Sequence, residues 1–175
     1  MSGGPRAVIF DLDGVLLDSE QRWNEVKREL VDAVGGRWRD EAPTVMMGMS
    51  SPEWSAYLRN DLGVPMDADE ISRDVVRRME QSYADALPLL PGAEQAVPAL
   101  AARWPLGLAS SSNREIIDLV LELADFGDAF RVTVSSEEVE RGKPAPDALA
   151  LAAATVELVG EVTPELVTRV AARAA

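Results

Sequence analysis

The segment Ala7-Val8-Ile9-Phe10-Asp11-Leu12-Asp13-Gly14-Val15-Leu16 constrains this chain more than any other. Four apolar residues in succession read as a buried strand, of the kind found in parallel sheets covered by helices. The strand ends on Asp11, Asp13 follows two positions later, and Gly14 lets the chain turn. Open α/β sheets bind ligands at the carboxyl ends of their strands, so both acids are delivered to that edge. Two like charges so close repel unless a cation or a shared proton relieves them. The segment therefore predicts a divalent metal, or an acid–base pair, at the mouth of a sheet.

Composition narrows the chemistry. The 175 residues include no cysteine and no histidine, which removes disulfides, thiolate or imidazole metal sites and the commonest general base. Oxygen ligands and a hard cation such as Mg²⁺ remain. With 30 acidic against 17 basic residues the net charge is −13, which disfavours nucleic acid and anionic membranes as partners. A small anionic substrate in a locally basic pocket stays compatible with that field. A basic-then-apolar leader is not evident and no apolar run reaches membrane-span length, so a cytoplasmic location is expected.

The pattern along the chain changes twice. Residues 1–5 read as a lead-in, and strand 1 as residues 6–11. Residues 16–88 are helical only. Ser19 is placed to cap a helix to about Val34, residues 37–50 look irregular, and Ser51 with Pro52 opens a helix ending near Gly63. Asp67 or Asp69 starts another, to about Ala86. From residue 89 strands and helices alternate: a helix over 93–103, strands at 106–109 and 130–134, and a helix over 114–124. Asp147 caps a helix to about Ala154, Thr155–Val159 reads as a short strand, and Thr163-Pro164-Glu165 opens a last helix. These alternations predict an α/β fold: a parallel-sheet core from residues 1–15 and 89–175, with residues 16–88 inserted as a helical domain after the first strand.

Three clusters carry candidate chemistry. A carboxylate such as Asp11 can attack phosphorus, and a second acid such as Asp13 can protonate the leaving oxygen and later deprotonate water. Ser110-Ser111-Ser112-Asn113 follows a strand and precedes a helix, where hydroxyls and backbone N–H groups suit phosphate oxygens. The same residues also serve as an ordinary helix cap. Lys143, in Gly142-Lys143-Pro144, is either a phosphate counter-charge or a solvated surface lysine.

Together, Phe10-Asp11-Leu12-Asp13-Gly14-Val15, Leu108-Ala109-Ser110-Ser111 and Gly142-Lys143-Pro144 resemble the first three signature motifs of the haloacid dehalogenase-like phosphohydrolases, in the same order. Leu90-Pro91-Gly92 resembles the return from the helical cap carried by members close to β-phosphoglucomutase. The resemblance implies a Rossmann-like core with an α-helical cap. It implies Asp11 as nucleophile and Mg²⁺ ligand, and Asp13 as acid/base that lends its backbone carbonyl to the metal. Ser110, Ser111 and Asn113 would bind phosphate, and Lys143 would hold both Asp11 and the phosphate. Gly48-Met49-Ser50 would form a specificity loop in the cap. The implied activity is a Mg²⁺-dependent phosphatase acting on a small phosphorylated metabolite through an aspartyl-phosphate, as a monomer or weak homodimer.

Departures from the pattern set the alternatives. Asp13 argues against the dehalogenase and phosphonatase variants. Trp23 stands where β-phosphoglucomutase carries a cap-hinge histidine, and no arginine lies near Ser51, so a phosphatase is favoured over a sugar-phosphate mutase. After Lys143 the chain runs directly into Ala148-Leu149-Ala150-Leu151-Ala152, and the acidic fourth motif is missing. Asp147, Glu157 and Glu161 are poor substitutes for it. Roughly forty residues, about one βαβ unit, are expected to be absent near Pro146. That would leave strand 1 at a sheet edge, with Val8 and Phe10 poorly covered and Mg²⁺ weakly held. A catalytically impaired remnant is the alternative from a different class. Met46, Met47, Met49 and Trp54 form either an apolar lid over a substrate or part of the cap's core.

Overall fold

A computed structural model of the chain describes residues 6–143 and 145–158. Three strands, β1 (Val8–Phe10), β2 (Leu106–Ser110) and β3 (Phe130–Ser135), form a parallel sheet in the order β1-β2-β3. The register pairs Phe10 with Leu108 and Ser110 with Ser135, so the residues after all three strands meet at one edge. Every residue of β2 is buried, as a central parallel strand requires. β1 is the edge strand among the described residues and is half-buried along its length, in line with the weak cover expected of it.

Each sheet face has its own core. On one, Leu106, Leu108 and Phe130 pack with Val97 of α5 (Ala93–Ala101) and Ile117 and Val120 of α6 (Arg114–Leu123). Phe10 meets Phe130 edge-on there, at 5.7 Å between ring centroids. On the other, Ile9, Ala109, Val132 and Val134 lie under Ala148, Leu151, Ala152 and Val156 of α7 (Asp147–Leu158). Gly107 makes that contact possible: a Cβ there would lie 2.8 Å from both Ile9 and Val156 side-chain carbons.

The segment between β1 and α5 is helical: α1 (Glu20–Ala33), α2 (Ala42–Met46), α3 (Ser51–Asn60) and α4 (Ala68–Asp85). Val26, Leu30, Leu58, Ile71, Val75 and Met79 join a hydrophobic core continuous with the first sheet face. Where the chain leaves the sheet and where it returns, the two passages are stitched together. Leu17 bridges Leu89, Leu90 N–H donates to Leu16 O at 2.8 Å, and Asp18 N–H donates to Pro88 O at 2.9 Å.

Several local expectations need correction. Thr155–Val159 is not a strand: α7 continues through Thr155 to Leu158, with the Thr155 hydroxyl satisfied by Leu151 O at 2.7 Å. Burial of the alanine-rich face against the sheet outweighs the β preference of threonine and valine. The stretch 37–50 is not wholly irregular, because Ala42–Met46 forms α2 with Pro43 in its first turn. Ser50, not Ser51, caps α3, through a reciprocal capping box with Glu53. Ser19 holds the capping position of α1, but its hydroxyl serves Asp13 instead of the helix. Residues 1–5, Pro144, Val159, Glu161 and Thr163–Glu165 lie outside the described residues.

Candidate active site

The turn after β1 is built by backbone sterics. Leu16 and Leu17 N–H both donate to Leu12 O, and Gly14 N–H donates to Leu17 O at 2.8 Å. Gly14 takes a φ of +74°, a conformation that costs a side-chain-bearing residue strain. This tight turn buries Leu12, Leu16 and Leu17 and leaves Asp11 and Asp13 facing a cavity of about 260 Å³.

Asp11, Asp13, Ser111, Asn113 and Lys143 all line that cavity, so residues up to 132 positions apart meet as the motifs predicted. Lys143 Nζ lies 2.7 Å from Asp11 Oδ2 and donates to Ala109 O at 2.9 Å, tying the loop after β3 to the ends of β1 and β2. The other Asp11 oxygen accepts Leu12 N–H at 2.8 Å.

Asp13 is held differently. Its Oδ1 accepts from Ser19 Oγ at 2.6 Å and Trp23 Nε1 at 3.1 Å. Its Oδ2 accepts from Ser112 Oγ at 2.6 Å and more distantly from Ser110 Oγ at 3.4 Å. Four donors, from α1, its cap, the end of β2 and the loop after it, thus fix one carboxylate. The nearby Tyr83 hydroxyl is buried and, among the described residues, unpaired; burial and the Asp13 charge raise its pKa and keep it protonated.

Some predicted residues sit elsewhere than the cavity wall. Ser110 is fully buried, and its hydroxyl accepts Ser112 N–H at 3.0 Å while reaching Asp13. Asn113 lines the cavity, yet both ends of its amide are engaged: Ser51 Oγ donates to it at 2.7 Å and it donates to Glu137 at 2.8 Å. It therefore joins α3 to the sheet's mouth. Gly48 and Met49 line the cavity; Ser50 does not, its hydroxyl donating to Glu53. Met46, Met47 and Trp54 all line the cavity, but Met46 and Trp54 are also buried core, while Met47 is 65% exposed. Met46 and Trp54 thus realise the core alternative, while Met47 stands exposed at the cavity wall.

Sequence reading missed Ser112 and Lys27. Ser112 is one of three consecutive serines, and only the turn geometry tells them apart. Lys27 is buried on α1 with Val26, Leu30 and Val31. Its position on the inward face of an amphipathic helix was a usable signal, since lysines are rarely buried.

For a cation, Asp11 and Asp13 offer a carboxylate and a backbone oxygen; among the described residues no cluster of three or more acids is arranged to hold a metal. Mg²⁺ commonly takes only one or two protein carboxylates, with water and substrate phosphate completing its shell. The oxygen donors present fit such a sparse site.

A family model described as haloacid dehalogenase-like hydrolase matches residues 5–167. The chain belongs to this family. Hexitol phosphatase B of Escherichia coli (strain K12) is 32% identical over 146 residues, covering 80% of this chain and 64% of that protein. The phosphorylated carbohydrates phosphatase of Thermotoga maritima is 28% identical over 157 residues, covering 89% and 72%. Among solved structures, CbbY from Rhodobacter sphaeroides in complex with phosphate superposes with a TM-score of 0.75 at 25% identity, covering 91% of this chain and 74% of that one. The chain spans somewhat less than two thirds of the hexitol phosphatase it matches. Among its described residues no helix is long and apolar enough to cross a membrane.

Proposed function

We propose that the chain hydrolyses phosphate monoesters of small phosphorylated carbohydrates or related metabolites, with Asp11 as nucleophile. The observation that carries this reading is the Asp11–Lys143 pair at 2.7 Å on the cavity floor, with Asp13 beside it. The names of the relatives, a hexitol phosphatase and a phosphorylated carbohydrates phosphatase, support the substrate class.

In the first step an Asp11 oxygen forms a bond to phosphorus as the ester P–O bond breaks, giving an aspartyl-phosphate and an alcohol. Asp13 passes a proton to the leaving oxygen. In the second step Asp13 takes a proton from water, whose oxygen attacks phosphorus, releasing phosphate and restoring the Asp11 carboxylate. Lys143 holds Asp11 in place and offsets the charge on the equatorial oxygens. Ser111 and the N–H groups opening α6 face the phosphoryl group, while Ser110 and Ser112 orient Asp13. Residues 16–88 act as a cap that excludes water, with Gly48 and Met49 in its specificity loop. A Mg²⁺ ion would be held by Asp11 and the Asp13 carbonyl, and when bound supplies charge neutralisation to the phosphate. Its affinity without phosphate is expected to be weak, and tight binding in a calorimetric titration would contradict that.

The test is Asp11→Asn with an aryl phosphate. Hydrolysis should fall to background, and undiminished turnover would refute the mechanism.

A further inference from the structure

The chain contains only two lysines among its 17 basic residues, and both line the same cavity, which no arginine lines among the described residues. Lys143 is accounted for by Asp11. Lys27 is not. It is 6% exposed on α1, and its Nζ lies 5.3 Å from the centre of the Trp23 ring and 4.8 Å from that of Trp54. Among the described residues no carboxylate or carbonyl oxygen comes within ion-pair or hydrogen-bond reach of it.

A buried ammonium is costly unless paired. Two indole faces recover part of that cost through their quadrupoles, and they also fix where the charge sits. Asp13 adds an attraction through space but no direct contact. Asp13 is occupied by its four donors, one of them the Trp23 indole N–H, so the same tryptophan pins Asp13 and carries Lys27. Glu20, at the cavity wall, is exposed. A neutral hydroxyl would leave the ammonium without a directly paired counter-charge, whereas an anion entering the cavity would supply one.

We propose that Lys27 is a substrate-specificity residue that binds a second anionic group, a carboxylate or a second phosphate, at the far end of the phosphate monoester. The inference rests on the phosphatase reading and deepens it. Burial holds the ammonium's pKa down near 8, and an anion beside it would raise it again.

The test uses non-hydrolysable ligands, so that binding is read whether or not the protein turns over. Propylphosphonate, 3-phosphonopropionate and propane-1,3-diphosphonate are titrated calorimetrically, in the presence of Mg²⁺, into the wild type, Lys27→Met and Lys27→Arg. Either doubly anionic ligand should bind the wild type at least about tenfold more tightly than propylphosphonate. That preference should vanish in Lys27→Met and survive largely in Lys27→Arg. Which ligand gains more tells carboxylate from phosphate. A preference of equal size in wild type and Lys27→Met, or none in the wild type, overturns the proposal. Turnover of phosphate esters is measured alongside: no turnover with the Lys27-dependent preference intact sinks the phosphatase reading and supports the anion site.

Discussion

The two lysines of the cavity do opposite things with the same charge. Lys143 comes from the loop after β3, keeps a fifth of its side chain exposed, and has a carboxylate and a carbonyl within 2.9 Å. Lys27 comes from an inserted helix, is almost wholly buried, and rests on two indole rings. A cation with a built-in counter-ion organises the groups that perform chemistry. A cation without one keeps its electrostatic potential for whatever enters. On the proposed function, the floor of the site would handle the phosphoryl group and its roof would choose the rest of the molecule.

Breaking the floor should have the largest effect. Lys143→Met leaves Asp11 without its partner and removes a donor aimed at developing charge, so kcat/KM for an aryl phosphate should fall about a thousandfold. A loss smaller than tenfold in steady-state kinetics would show that the pair does not serve the reaction.

Breaking the roof should move stability in the opposite sense. Burial depresses the Lys27 pKa from 10.5 to about 8, with the Asp13 charge acting against it. Between those values the unfolded chain binds a proton that the folded chain does not, so stability rises with pH across that window. Below the folded value the full penalty is present. Lys27→Met removes it, and at neutral pH should stabilise the fold by about 1–3 kcal/mol after the lost cation–π attraction is counted. Urea denaturation at pH 7 and pH 10 checks this: the gap between variant and wild type should narrow at the higher pH.

The smallest effect tests the hold on Asp13. Ser112→Ala deletes its 2.6 Å donor, and should lower kcat about tenfold with little change in KM. An unchanged kcat would mean that the remaining three donors orient the carboxylate alone.

How much of this was legible in the sequence depended on range. The Asp11 strand, the strand before Ser110 and the Lys143 loop were readable because each combines an apolar run with a turn, a local signal. The convergence of Asp11 with Lys143 followed from parallel topology, which brings all strand ends to one edge. The division of labour among the serines was not readable. Ser19 looked like a helix cap and Ser110 like a phosphate ligand, yet both hydroxyls reach Asp13. Ser51 looked like a cap and instead bonds Asn113, 62 positions away. Short polar side chains find partners through tertiary packing, and spacing in sequence does not encode that. Thr155 and Val156 failed for a related reason: two β-branched residues suggested a strand, while the sheet face beneath them needed a helix.

The central claim is that Asp11 becomes covalently phosphorylated. Wild-type protein mixed with an aryl phosphate and Mg²⁺, quenched in acid within the first turnover and digested, is examined by mass spectrometry. The account predicts one phosphoryl group on the peptide containing Asp11, absent from Asp11→Asn. Aryl phosphate turnover through repeated cycles, with that peptide never phosphorylated and the Asp11→Asn variant equally active, would contradict it.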